Sequence, residues 1–386
     1  MSRHECRACR GQAGHRVLDL GDQPASDSFP RWDDPGPDPV YPLRMWLCSR
    51  CGLAQLMEDP TVPEEPKGAE PAALVEQAGD AVRQVCAAGL LPAGARVAEY
   101  GSPHGGSWLG LLAQRGAAPV YPPAEADVII DCFGMMHAAD QAAALDERAA
   151  RLVPGGILLM QYHSLNTIVR SGQWNALRHG HYAYYSTTAL TKILGAAGFT
   201  PRTAWQFGLY GGTVLLAASR DGGRGAADRA AAAPDESVRD LLEAEASTGV
   251  LDPNAVAGLQ HDVQARVRGL HGWLAAERAA GRSVLGYGAA SRAVALLRKA
   301  EVDHDLLPAI ADASPAKQGL RMPGSRIPVI SPREMVERQP DAVLLFVADL
   351  MAEVRTAYPE IEAANGRWVI ADELGTASAS HQPHFA

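Results

Sequence analysis

Four of the six cysteines stand in two Cys-x-x-Cys pairs, Cys6/Cys9 and Cys48/Cys51. Four soft thiolates gathered by the loop between the pairs are the donor set that a tetrahedral Zn²⁺ takes at about 2.3 Å. A disulfide or a redox dithiol competes with this reading, but disulfides are rare in cytosolic chains and two matched pairs exceed what redox work needs. Cys6, Cys9, Cys48 and Cys51 are therefore expected to hold a structural zinc. With four thiolates no position stays open for water, which argues against a catalytic metal. Gly52 after Cys51 suits the tight backbone of a metal knuckle. A second concentration of chemistry runs from Gln173 to Tyr182, where Arg178, His179, His181 and Tyr182 follow one another closely. Imidazoles titrate near neutral pH, which suits proton transfer. Two glycine turns, Glu99-Tyr100-Gly101-Ser102-Pro103-His104-Gly105 and Gly286-Tyr287-Gly288-Ala289, allow backbone N–H groups to approach a ligand where a strand meets a helix.

The elements around these residues place them. Between the cysteine pairs the chain is rich in Pro and Asp from Pro30 to Pro42, too poor in apolar residues for a core of its own, so metal binding stands in for burial. Residues 57–70 read as a Pro/Glu-rich linker into a helix over 71–88. Strands are expected at 96–100, 126–133 and 157–160, with helices at 107–115 and 141–152, an order that predicts a doubly wound, Rossmann-like sheet. A helix at 189–198 and a strand at 210–219 complete it. The stretch 220–234 marks a second boundary, followed by helix through 239–280. Strand and helix alternate again from Ser283, with strands at 307–312, 327–330, 342–347 and 367–371. The expected organisation is a zinc module at 1–68, a central α/β domain at 69–220, a helical connector at 221–280 and a C-terminal Rossmann-like domain at 281–386.

Composition bounds the function. The 386 residues are 47% hydrophobic and 20% charged, which excludes a disordered or fibrous chain. With 35 Lys+Arg against 44 Asp+Glu, a net charge of −9 disfavours a nucleic-acid backbone as partner. There is no apolar leader and no run long enough to span a bilayer. The reading is a cytoplasmic monomer or homodimer with a small-molecule substrate and neither nucleic acid nor membrane as partner.

An ordered set of short segments carries a family resemblance along nearly the whole chain. Cys6-x-x-Cys9, Leu47-Cys48-Ser49-Arg50-Cys51-Gly52-Leu53, Glu99-Tyr100-Gly101-Ser102, Arg178-His179-Gly180-His181-Tyr182, Tyr210-Gly211-Gly212-Thr213, Gly286-Tyr287-Gly288-Ala289, and Asp312 to Gly319 with Pro323-Gly324 together resemble the zinc-containing sugar C-methyltransferases. The resemblance implies a zinc module, a central domain for S-adenosylmethionine or its product S-adenosylhomocysteine, and a C-terminal domain that helps hold a nucleotide-linked deoxysugar. It implies that Glu99, Gly101, Ser102 and Gly105 form the cofactor loop.

Departures from the family pattern carry their own expectations. The interval from Gly101 to Asp127 is shorter than the about 30 residues a βαβ unit takes, so one strand-helix unit is missing. Val120-Tyr121-Pro122-Pro123 stands where an acidic ribose ligand is usual, leaving Tyr121, Asp131 and His137 as substitutes at the adenosyl end. By resemblance His181 is the base that removes a carbon-bound proton, with His179, Arg178 and Tyr182 beside it. Arg178 replaces a usual tyrosine and Gly180 a usual glutamate, which removes a carboxylate partner and adds a guanidinium able to bind an oxyanion. Tyr162, His163 and Tyr210 are expected to wall the site, and Tyr287, Arg292 and Lys317 to form the substrate platform. Gly286-x-Gly288 lacks the third glycine of a dinucleotide fingerprint, which disfavours NAD. Two other functions compete with methyl transfer: intramolecular alkylation, such as cyclopropane closure on a sulfonium adduct, and a non-catalytic scaffold.

Overall fold

The computed structural model describes residues 4–61, 70–102, 105–221 and 234–375. Most of the expected linker and second boundary, together with Pro103 and His104, lie outside the described residues. Three sheets organise the described residues. The central one has six strands in the order Ala118–Pro119, Arg96–Gly101, Ala126–Cys132, Leu152–His163, Thr213–Arg220, Phe199–Phe207. Its first four strands are parallel, and the last two form an antiparallel hairpin. The continuous apolar run of Ala126–Cys132 is almost wholly buried, as a strand covered on both faces requires. After the two-residue edge strand Ala118–Pro119 the chain turns through Tyr121 and Pro122-Pro123 directly back to Ala126. No further strand-helix unit intervenes there, in agreement with the short interval read from the sequence.

The C-terminal sheet is fully parallel, ordered Val329–Ile330, Ile310–Ala311, Val284–Tyr287, Ala342–Leu345, Arg367–Ile370. The N-terminal sheet is antiparallel, and its fourth strand comes from far along the chain: Gly14–Pro24, Val40–Cys48 and Ala54–Leu56 are completed by Ala183–Tyr184. The segment immediately after His181 is thus built into the zinc module. Apolar packing joins the modules as well. Leu18, Leu20 and Met45 share one core with Leu165, Trp174 and Tyr184 and with Ala293 and Leu296 of the C-terminal domain.

Two polar clamps fix the relative placement. Glu245, fully buried on helix Glu236–Thr248, accepts from Thr187 N at 2.6 Å and from Thr188 N and Oγ1 at 2.7 Å, capping helix Thr187–Ala196. The Pro/Asp-rich loop, which lacks a core of its own, is held by the C-terminal domain. Asp38 takes both ends of the Arg321 guanidinium at 2.6 and 2.7 Å and the Gly324 N–H at 2.7 Å, while Arg321 N donates to Pro30 O.

Candidate active site and metal centre

The four cysteine sulfurs lie within 4.8 Å of one another, with Cys6 to Cys51 at 3.5 Å and Cys9 to Cys48 at 3.6 Å. A tetrahedron with metal–sulfur bonds of about 2.3 Å has edges of about 3.8 Å, whereas a disulfide needs about 2.05 Å. The cysteines are unbridged, and their donor set fits zinc. Left to themselves the thiols oppose one another's ionisation. The hydrogen bond from Cys51 draws Cys6 down to about 5, while burial pushes Cys9 up to about 11. A divalent cation removes that conflict by favouring four thiolates together. The first knuckle docks on the central domain: Arg7 donates to Leu56 O and Ala139 O and lies over the Tyr182 ring at 4.7 Å, and Arg10 pairs with Asp140.

A cavity of about 270 Å³ opens at the carboxyl edge of the central sheet and is closed on its far side by the C-terminal domain. Ser102, Gly105 and His137 line it from the expected cofactor side. His163, Arg178, His181 and Tyr210 form its middle, and Tyr287, Arg292 and Lys317 its far wall. At Gly101 and Gly105 there is room for a ligand, since a Cβ there would meet nothing within 4 Å among the described residues. Cys132, Phe133 and Met136 add an apolar surface. These residues fit the methionine and adenosine ends of S-adenosylmethionine.

Other expected site residues are engaged elsewhere. Glu99 closes its own loop, accepting from Trp108 N at 2.6 Å and Ser107 Oγ at 2.7 Å. The helix after it is only Leu109–Ala113, so the loop, and not a helix N-terminus, faces the cavity. Asp131 is fully buried under Arg148, paired at 2.6 Å, and accepts from Met135 N at 2.7 Å. It is therefore a scaffold for the turn Met135–His137 and not an adenosyl contact. Tyr121 is 69% exposed at the sheet edge. Tyr162 points into the core, bonded to Thr187 Oγ1 at 2.8 Å. His179 turns away from the cavity toward Pro42 O at 3.3 Å and the edge of Tyr41. Tyr182 lies beneath Arg7. Strand and turn geometry sends alternate side chains to opposite faces, which is why neighbours in this segment part company.

The central contact is between Arg178 and His181. Arg178 Nε–H donates to His181 Nε2 at 2.8 Å, and its Nη1 donates to Ser291 Oγ of the C-terminal domain. An arginine can only donate, so His181 Nε2 is the unprotonated nitrogen and its lone pair is occupied. The base expected there from the sequence faces a cation instead of a carboxylate. His137 meets His181 edge-on, with ring centroids 4.5 Å apart. His163 is held neutral: burial and the guanidiniums of Arg292 and Arg178 push it down to about 3.

Backbone strain places Tyr210. It adopts φ +56°, followed by Gly211 and Gly212 at +77° and +146°. A Cβ on Gly211 would strike Gln173 Nε2 at 2.1 Å, and one on Gly212 would strike Thr167 at 2.6 Å. Only glycines let this turn press against 167 and 173. Tyr210 N donates to Asp349 Oδ2 at 2.8 Å, its ring packs edge-on against Phe133, and Arg292 lies 5.5 Å above it. Lys317, 6% exposed, donates to Ala289 O at 3.0 Å and lies over Phe29. Among the described residues Arg178, Arg292 and Lys317 form no ion pair with a carboxylate. Sequence reasoning missed Ser291, Asp349 and Asp59, whose Oδ2 accepts from Gly180 N at 2.6 Å. Asp59 and Asp349 sit in no motif, Ser291 closes the C-terminal glycine turn, and each reaches the site from a distant segment.

Three family models match successive parts of the chain: a zinc binding domain at residues 6–65, a methyltransferase domain at 76–204 and a C-methyltransferase C-terminal domain at 208–371. C-methyltransferase NovU of Streptomyces niveus is 26% identical over 414 residues, covering 95% of this chain and 94% of that one. Among solved structures, the magnesium protoporphyrin IX methyltransferase ChlM of Synechocystis PCC 6803 with bound S-adenosylhomocysteine is 13% identical over 40% of this chain and 90% of its own, with a TM-score of 0.30. The N-methyltransferase NodS of Bradyrhizobium japonicum WM9, also with S-adenosylhomocysteine, is 15% identical over 39% of this chain and 89% of its own, with a TM-score of 0.28. The central sheet, the open glycine loop and the matched methyltransferase domain define an S-adenosylmethionine-dependent methyltransferase. With the cysteine cluster before that domain and the matched C-terminal domain after it, the chain has the three-part organisation of a zinc-containing C-methyltransferase.

Proposed function

We propose that this methyltransferase alkylates a carbon next to a carbonyl on a small-molecule acceptor of secondary metabolism, a nucleotide-linked keto-deoxysugar being the class that the family resemblance implies. Arg178 carries the proposal. It reaches the middle of the cavity with one edge on a neutral imidazole and one on a hydroxyl, and forms no ion pair among the described residues. Its charge is thereby left for an oxygen that becomes negative as the neighbouring carbon loses its proton. Bound S-adenosylmethionine supplies the electrophilic methyl group. Ser102, Gly105, Phe133 and Met136 would hold it on the central side, and Tyr287, Arg292 and Lys317 the acceptor on the C-terminal side. Lining of the cavity by both domains would fix the approach of the two partners.

The test is transfer of labelled methyl from S-adenosylmethionine to a panel of nucleotide-linked keto-deoxysugars, with Arg178→Met compared with the parent. The variant should lose about 100-fold or more in kcat while calorimetry shows S-adenosylhomocysteine binding within about twofold. Equal turnover by Arg178→Met overturns the oxyanion role, and a panel without a methylated member overturns the acceptor class.

A further inference from the structure

His137 ends the turn Met135–His137 that follows the buried strand Ala126–Cys132. It therefore stands at the carboxyl edge of the central sheet, where open α/β sheets bind their ligands. Its Nδ1 lies 3.0 Å from Gly180 O. A carbonyl can only accept, so Nδ1 carries a proton and in the neutral ring Nε2 is the unprotonated nitrogen. That nitrogen lies 3.5 Å from Ser102 Oγ, on the loop leading to Gly105, and His137 lines the cavity. The carbonyl that orients it is itself fixed, because Gly180 adopts φ +78° and its N–H is held by Asp59. A carbonyl on the far nitrogen sets the tautomer and the orientation of the ring.

His181 has the opposite arrangement. Its Nε2 accepts from Arg178, so the lone pair that a base would use is taken up by a guanidinium N–H. The two rings touch, edge to face, in the cavity wall, one turned toward a guanidinium and the other toward a carbonyl. We propose that His137, through Nε2, is the general base that takes the proton from the acceptor carbon, and that His181 is a positioning residue for Arg178.

The inference rests on the C-methylation reading above. In the step, the acceptor C–H bond breaks and its proton goes to His137 Nε2. The electron pair forms the carbon–carbon double bond of an enolate, whose oxygen takes the negative charge beside Arg178. The imidazolium keeps its Nδ1–H on Gly180 O. That carbon then forms the new C–CH₃ bond with the methyl of the sulfonium, the S–CH₃ pair remains on sulfur as neutral S-adenosylhomocysteine, and the proton passes from His137 to water.

Two measurements on the full chain separate this inference from the reading beneath it. The first needs no acceptor: ¹⁵N-histidine NMR, with His137→Gln and His181→Gln used for assignment, should show Nε2 of His137 unprotonated at neutral pH. A proton on that nitrogen overturns the proposal. The second uses whichever keto-deoxysugar the panel methylates. At saturating S-adenosylmethionine, His137→Ala should lose about 100-fold or more in kcat and regain activity with added imidazole. His181→Gln should lose activity without imidazole rescue. Turnover by His137→Ala within tenfold of the parent, or a loss that imidazole does not restore, overturns the base assignment. If no acceptor is methylated although Nε2 is bare, the C-methylation reading has failed, and with it the base role.

Discussion

Replacing Asp38 with Ala should unfasten the N-terminal loop from the C-terminal domain. The Arg321 side chain is 2% exposed and its two terminal nitrogens lie 2.6 and 2.7 Å from the Asp38 carboxylate. Removing the carboxylate leaves a buried guanidinium with one weak acceptor, Asp34 O at 3.4 Å, and also strands the Gly324 N–H. Breaking a buried pair from one side costs about 3–5 kcal/mol, and the residual exposure of Asp38, 11%, places this case near about 3 kcal/mol on that scale. Removing both partners, as in Asp38→Ala with Arg321→Met, should be less damaging than Asp38→Ala alone, because no buried charge is left behind. Burial pushes the Asp38 carboxyl up, yet hydrogen bonds from Arg321 and Gly324 hold it below the ordinary range. A carboxylate depressed in the folded state stabilises above its unfolded value of about 3.9 and loses that contribution as pH falls through the folded value. Urea unfolding at neutral pH, followed by tryptophan fluorescence and by hydrogen exchange at residues 320–330, reads the effect. Protection at 320–330 should collapse in Asp38→Ala and recover in part in the double variant. Stability within about 0.5 kcal/mol of the parent, the range of ordinary surface changes, or a double variant worse than the single, would refute the clasp.

Two further outcomes are expected. Cys48→Ser should remove zinc from the purified protein, read by elemental analysis, and lower the folded yield, because four thiols gathered within 4.8 Å of one another would be tied together by the metal; full zinc content with unchanged melting would contradict a structural four-thiolate site. His163 is depressed in the folded state to about 3, first by burial and then by Arg292 and Arg178, so the unfolded chain binds a proton that the folded chain refuses. Stability should therefore fall on acidification below about pH 6.5, by up to about 1.4 kcal/mol per pH unit from this residue. His163→Gln should flatten that slope in denaturant titrations run from pH 7 to pH 5, and an unaltered slope would show that His163 is not held neutral.

Much of this protein is written locally. The cysteine spacing sets the zinc donors because Cys-x-x-Cys is a one-turn geometry that needs little beyond its own backbone. The strand-turn-helix order yields the parallel part of the central sheet and the parallel C-terminal sheet because each unit is decided by short-range apolar patterning and by glycine at the turns. The missing strand-helix unit was legible for the same reason, as a length too short to hold it. Direction of side chains was not. Glu99, Asp131, Tyr162 and Tyr182 belong to the right segments yet face a loop amide, an arginine, the core and the zinc knuckle. A one-residue step along a strand or turn reverses the face, and which face is the cavity depends on what packs against it.

The partners that give the site its chemistry lie far apart in the chain. Arg178 meets Ser291 from 113 residues away, Gly180 meets Asp59 across 121, and Asp38 meets Arg321 across 283. The sequence by itself determined the modules, the metal donors and the segment that carries the histidines. Only the tertiary structure decided that Arg178 caps one imidazole while a backbone carbonyl orients the other. That choice depends on the strand Ala183–Tyr184 completing the sheet of a different module, a pairing whose hydrogen bonds no local pattern encodes.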